Sequence, residues 1–302
     1  LPLTGDRTLI AMFGLWLSPT TLAYNEFPLT MLADDQLNLS TVRLKLWEAG
    51  QAAAAEGPAG VIAIPDWIRV APDGRHLALL RLTDEGPQSP GELAIMSVAG
   101  GELETVATDA FLPTWSPDGR SLAFLHRDAT AGGISLHLWE VGARTFTRLW
   151  NSQATADQLP ARMQANYNLA WSPDGRWLAF AGQDYSAATG WLALLSLEDD
   201  HLRIVGTRSV ATRNLGFSAD SSWLGGVVEG PPYNAVAIYD VRTGQEVRRL
   251  AEDDVNWEQP LWSPRDGRLL AFRNSRPYLL PEARGRAVAL GEVNCTSAAW
   301  RP

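Results

Sequence analysis

The sequence predicts an all-β chain folded as a six-bladed β-propeller of four-stranded antiparallel blades, on three observations. A ten-residue segment, WSPDGRSLAF at residues 115–124, returns almost letter for letter as WSPDGRWLAF at residues 171–180. Weaker copies read VAPDGRHLAL (70–79), FSADSSWLGG (217–226) and WSPRDGRLLAF (262–272), and the turn positions Gly74, Gly119, Gly175, Ser221 and Gly267 lie 45, 56, 46 and 46 residues apart. A period of that length with β-rich content is the signature of propeller blades or a comparable array. Between the copies, short and partly alternating apolar runs are broken by Gly, Pro and Asp, which reads as strands joined by turns.

Within one unit the ten-residue segment is a hairpin between the first and second strands. Pro117 presets φ at a turn corner, and Gly119 permits the positive φ that a side chain would resist. Asp118 can accept hydrogen bonds from the turn amides, and Arg120 offers a charged partner. The Trp115 position places a large ring in the seam between blades, while Leu122 and Phe124 point to one face of the next strand. Third strands follow as GELAIMSV (91–98), ISLHLWEV (134–141), GWLALLSL (190–197) and AVAIYDV (235–241). Fourth strands follow as ELETVA, TFTRLW, LRIVG and EVRRL. The segment is a brace, not a catalytic motif.

Five units are complete, the fifth weakened over 276–290 by Pro277 and Pro281. The sixth is expected to be split between residues 1–65 and 295–302, so that pairing of the chain's two ends closes the ring of a single domain spanning 1–302. Its C-terminal part carries Trp300. Its N-terminal part reads DRTLIA (6–11), STVRLKLWEA (40–49) and residues 60–65. Seven blades remain open if residues 22–32 hide further strands. The apolar run LIAMFGLWL (9–17) reads as a strand, being too short for a membrane span of about 20 residues.

At these segments the chain resembles the WD40-like repeat called PD40, found in the propeller of the bacterial periplasmic TolB family. The resemblance implies a propeller that binds proteins outside the cytoplasm, in the periplasm or at the outer face of the cell membrane. It carries over no catalytic residue, because the matching positions are structural.

The chain's chemistry agrees with a binding role. A formal charge of −9 argues against a nucleic-acid surface. No G-x-S-x-G elbow occurs; GISLH (133–137) and GFSAD (216–220) lack the closing glycine. Neither the four histidines nor the lone Cys295 make a zinc pattern, and no acidic run has EF-hand spacing. No metal or cofactor is expected.

What remains is surface. Residues 18–39 form an insert expected to be a loop, carrying Tyr24 and Phe27; Tyr185, Tyr233, Trp257 and Tyr278 fall in connections on the same expected face. These six are the candidate partner-binding residues, of types enriched at interface hot spots. Arg69, Asn168, Arg213, Asn214 and Gln259 fall near first strands and are expected to line the central channel. The sequence therefore predicts a non-catalytic protein-binding or scaffold propeller, an accessory subunit of a larger bacterial envelope or membrane-associated complex with no membrane span of its own. The alternative is a hydrolase- or lyase-type propeller enzyme acting on a small molecule or glycan in the channel with a bound divalent cation.

Overall fold

The computed structural model describes residues 9–28, 42–59, 61, 68–81, 91–99, 102–128, 133–151, 164–184, 189–205, 212–228 and 233–291. The chain divides into two compact units, Leu1–Asn151 and Ser152–Pro302. Every regular element among the described residues is a strand, and every strand pair is antiparallel.

The first unit opens with a sheet of four sequential strands, β1 (Leu9–Trp16), β2 (Thr21–Pro28), β3 (Arg43–Glu48) and β4 (Ala55–Ala59). The sequence LSPTTLAY (17–24) is a hidden copy of the repeated hairpin, two residues shorter than WSPDGRSLAF. Leu17 N donates to Thr21 O at 2.9 Å, and Ser18 Oγ accepts from the Thr21 amide at 2.9 Å, closing the shorter turn. The run 9–17 is a strand as expected, the first of this sheet. Two other expectations are corrected. Thr21–Pro28 is a strand and not part of a loop. The fourth strand lies at Ala55–Ala59, ahead of the expected 60–65. Residues 295–302, expected to pair with this sheet, lie outside the described residues.

The same unit continues as a seven-stranded sheet: β5 (Ile68–Val70), β6 (His76–Arg81), β7 (Gly91–Ser97), β8 (Glu104–Trp115), β9 (Ser121–Asp128), β10 (Gly133–Glu140) and β11 (Thr145–Asn151). It is two repeat units sharing one strand. The start of β8 pairs with β7 as a fourth strand, and its end pairs with β9 as a first strand. Asp109 (φ 51°) and Leu112 (φ 52°) mark the crossing.

The second unit holds three four-stranded sheets: β12 (Gln164–Trp171), β13 (Trp177–Asp184), β14 (Thr189–Ser196) and β15 (Leu202–Ile204); β16 (Thr212–Phe217), β17 (Trp223–Val228), β18 (Ala235–Asp240) and β19 (Glu246–Leu250); β20 (Trp257–Trp262), β21 (Leu269–Arg273), β22 (Arg276–Leu280) and β23 (Val288–Ala289).

The repeated turn behaves as its residues dictate. Gly74, Gly119 and Gly175 take φ of 68°, 69° and 75°, and Ser221 holds the same position at 60°. Asp118 Oδ1 accepts from the Ser116 hydroxyl at 2.7 Å and the Arg120 amide at 3.0 Å; Ser172–Asp174 and Ser218–Asp220 repeat the arrangement. The aromatic position packs in the seam. Trp115 is buried against Ala71, Leu93 and Ile95, and its indole N–H reaches Arg69 O at 3.0 Å. In the second unit Phe217 packs on Leu192 and Leu194, and Trp262 on Val236 and Ile238. The burial of these rings is what binds one sheet to the next.

Candidate binding surface

Three turns converge at one end of the last two sheets. Tyr233 and Asn234 lead into β18, residues 251–256 join β19 to β20, and Asn274-Ser275 join β21 to β22. That last turn has two central residues, both at positive φ (46° and 65°), the geometry that fits tight hairpins and that asparagine tolerates well.

Three asparagines staple the turns together. Asn234 N donates to Asn256 Oδ1 at 2.9 Å, and Asn256 N donates to Asn274 Oδ1 at 2.9 Å. In return, Trp257 N reaches Asn234 O at 3.0 Å and Asn274 N reaches Asn256 O at 2.9 Å. The Asn256 and Asn274 side chains each satisfy an amide of another turn, and Asn234 joins through its backbone, so the three connections are tied together.

Around this ladder the structure gathers three of the six expected partner-binding residues. Tyr233 donates its hydroxyl to Asp254 Oδ1 at 2.8 Å, which raises the phenol above its ordinary pKa. Trp257 is buried and meets Tyr278 edge-on, ring centroids 5.3 Å apart. Arg273 donates to the Tyr278 hydroxyl at 3.3 Å, lies 5.9 Å over its ring and pairs with Glu252. The exposed part is therefore Tyr233, half-buried Tyr278, Arg273 and the acidic run Glu252–Asp253–Asp254, with Trp257 as its floor.

The other three are placed differently. Tyr24 lies in β2, 3% exposed, at the step that Phe124, Phe180 and Phe272 occupy in other sheets. It is a core residue, which corrects its expected place on an exposed loop. Phe27 also lies in β2. Tyr185 lies outside the described residues.

Of the expected channel residues, Asn214 (φ 54°) and Gln259 (φ 50°) share a further feature. Each stands three residues before the seam aromatic of its strand, as Leu112 does. At each site two residues face one across the ladder: Leu112-Pro113 oppose Phe124, Asn214-Leu215 oppose Gly226, and Gln259-Pro260 oppose Ala271. These β-bulges bend each first strand at a matched point. Arg213 precedes one bulge, Asn168 closes a register break opposite Ala181, and Arg69 lies in β5.

One constellation with catalytic residue types occurs in the first unit. Ser135 Oγ and His137 Nε2 are 2.8 Å apart on β10, with His126 and Phe124 against the imidazole at 5.3 and 5.6 Å. Burial, and then the charges of His126 and Arg148, push His137 down to about 4. Among the described residues its Nδ1 meets no hydrogen-bond partner and no orienting acid. Among the described residues no group of three His, Cys, Asp or Glu side chains could hold a metal ion, and no helix is long and apolar enough to cross a membrane.

A pH dependence follows. His137 is depressed, so its contribution is complete above its unfolded pKa near 6.5 and is lost as pH falls to about 4. Asp118, held down by the Ser116 hydroxyl and the Arg120 amide, and Asp266, lowered to about 2 by Arg268 and Ser263, are also depressed. Their contributions fade below the ordinary value of 3.8. Urea midpoints measured against pH should fall in two stages, and His137→Phe should remove the upper one; an unchanged upper stage would contradict this assignment.

No family model matches the chain, and no curated protein matches it by sequence. Solved structures do resemble it. A protein assigned as TolB from Agrobacterium tumefaciens matches with TM-score 0.50 at 16% identity, over 75% of this chain and 80% of that one. The β-propeller domain of the trilobed protease from Pyrococcus furiosus matches with TM-score 0.60 at 12% identity, over 95% of this chain and 86% of that one. A prolyl endopeptidase matches with TM-score 0.63 at 11% identity, covering 98% of this chain but only 44% of its own length. The likeness is one of fold: the chain is built of antiparallel sheets of the β-propeller kind.

Proposed function

We propose that the protein is a non-catalytic binding propeller, a scaffold or accessory subunit of a bacterial envelope complex outside the cytoplasm, which docks a protein partner on the asparagine-stapled surface. The observation that carries this reading is the convergence of Tyr233, Trp257 and Tyr278 on one rigid turn cluster. Preorganised aromatic anchors lose little entropy on binding, and a buried ring beside half-buried ones is typical of hot-spot architecture. The acidic run at its centre selects a partner segment carrying basic groups.

The enzyme reading draws its support from the prolyl endopeptidase likeness. Against it stands the Ser135–His137 pair, which lacks an orienting acid and sits on a strand shared with the seam core. The double substitution Tyr233→Ala/Tyr278→Ala should weaken association with the native partner, recovered by affinity purification, by about 2–4 kcal/mol. Its melting temperature should stay close to that of the parent. Undiminished recovery with a folded double variant would refute the placement.

A further inference from the structure

At the opposite end of the last sheet, the connection between β22 and β23 overhangs a cavity of about 420 Å³, lined by Trp223, Gly267, Pro281, Glu282, Ala283 and Arg284. None of these residues belongs to the stapled surface. The volume lies within the range of small-molecule sites. The lining residues differ in chemistry: Trp223, Pro281 and Ala283 are apolar, and Glu282 and Arg284 are charged.

The charged pair is the informative feature. Arg284 lies with its guanidinium carbon 5.8 Å from the centre of the Trp223 indole, which holds the planar cation at one wall. Glu282, two residues away, is exposed and forms no ion pair with Arg284 among the described residues. One cation stacked over an indole and one acidic side chain without an ion pair thus belong to residues that line the same cavity beside apolar ones. A ligand that satisfies all three carries adjacent charges of both signs and an apolar body.

We propose that this cavity binds a free α-amino acid with an apolar or aromatic side chain. Its carboxylate pairs with the Arg284 guanidinium, whose fork geometry suits bidentate contact. Its ammonium group pairs with Glu282, and its side chain lies against Trp223 and Pro281. The cavity is open beside Gly267, where an added Cβ would meet nothing within 4 Å. A large side chain there would add bulk at the cavity's edge without a clash at its Cβ.

Calorimetric titration of the intact chain with L-phenylalanine and L-leucine tests the proposal. At least one should bind, N-acetyl and carboxamide derivatives should each bind at least ~10-fold more weakly, and Arg284→Ala and Gly267→Leu should each lower affinity by a similar factor. Glu282→Gln should weaken the free amino acid while leaving the N-acetyl derivative unchanged. Thermal melts confirm that each variant is folded. The proposal is overturned if neither amino acid binds up to about 10 mM, if the N-acetyl derivative binds as well as the free amino acid, or if folded Arg284→Ala and Gly267→Leu both bind like the parent.

Discussion

Trp115→Ala is expected to cost about 3–5 kcal/mol of folding stability, the range for truncating a large buried aromatic. The indole is 7% exposed, fills the seam against Ala71, Leu93 and Ile95, and donates to the Arg69 carbonyl at 3.0 Å. Alanine would leave a cavity and remove that hydrogen bond. Trp171 holds the same letter in the other close copy but is only half-buried, so Trp171→Ala should cost less. Urea unfolding of both variants checks the order. A neutral Trp115→Ala, or one that folds normally and loses partner binding, would mean that the repeated segment is a functional site and not a brace.

The second large effect is expected from the smallest possible addition. A Cβ at Gly91 would lie 2.6 Å from the backbone oxygen of Arg81, a separation that no side-chain adjustment can relieve. Gly91 is buried and pairs with Ala110 at the point where β8 passes from one repeat unit to the next. Gly91→Ala should therefore displace β7 from β6 and cost about 1–3 kcal/mol, as overpacking typically does. The control is Gly74→Ala, which meets nothing within 4 Å but must hold φ at 68°, so it tests backbone strain without a clash. Equal stability of Gly91→Ala and the parent would contradict the close approach.

Much of the fold was legible because turn chemistry is local. Pro, Asp and Gly at fixed steps specify the hairpin, and five of its copies could be read directly from the letters. The copy at 17–24 was hidden because its turn is two residues shorter and keeps neither the glycine nor the opening aromatic. Only Ser-Pro followed by Leu-Ala-Tyr betrays it, and missing it turned a core residue, Tyr24, into a presumed loop anchor. The continuity of β8 was also invisible. Its bend rests on Asp109 and Leu112 at positive φ, which no residue type there announces.

The candidate site was half legible for a different reason. Tyr233, Trp257 and Tyr278 stood out by type and by their place in connections, but what joins them did not. Asn234, Asn256 and Asn274 are far apart in sequence, and each looks like an ordinary turn residue. Their role appears only when three turns meet, because the Asn256 and Asn274 side chains satisfy amides belonging to other turns and Asn234 is held through its backbone. The bulges at Asn214 and Gln259 are similar cases, since the residue types suggested polarity and the backbone supplied the shared feature.

The most direct test of the binding account places a photo-crosslinking residue at Tyr233, at Tyr278 and, as a control in the first unit, at the exposed Phe146, then irradiates the full chain in cell-envelope extracts. The account predicts a discrete adduct of one partner from positions 233 and 278, abolished by the Arg273→Ala background that unfastens Tyr278, and none from position 146. Equal adducts from all three positions, or an adduct from 146 alone, would contradict it.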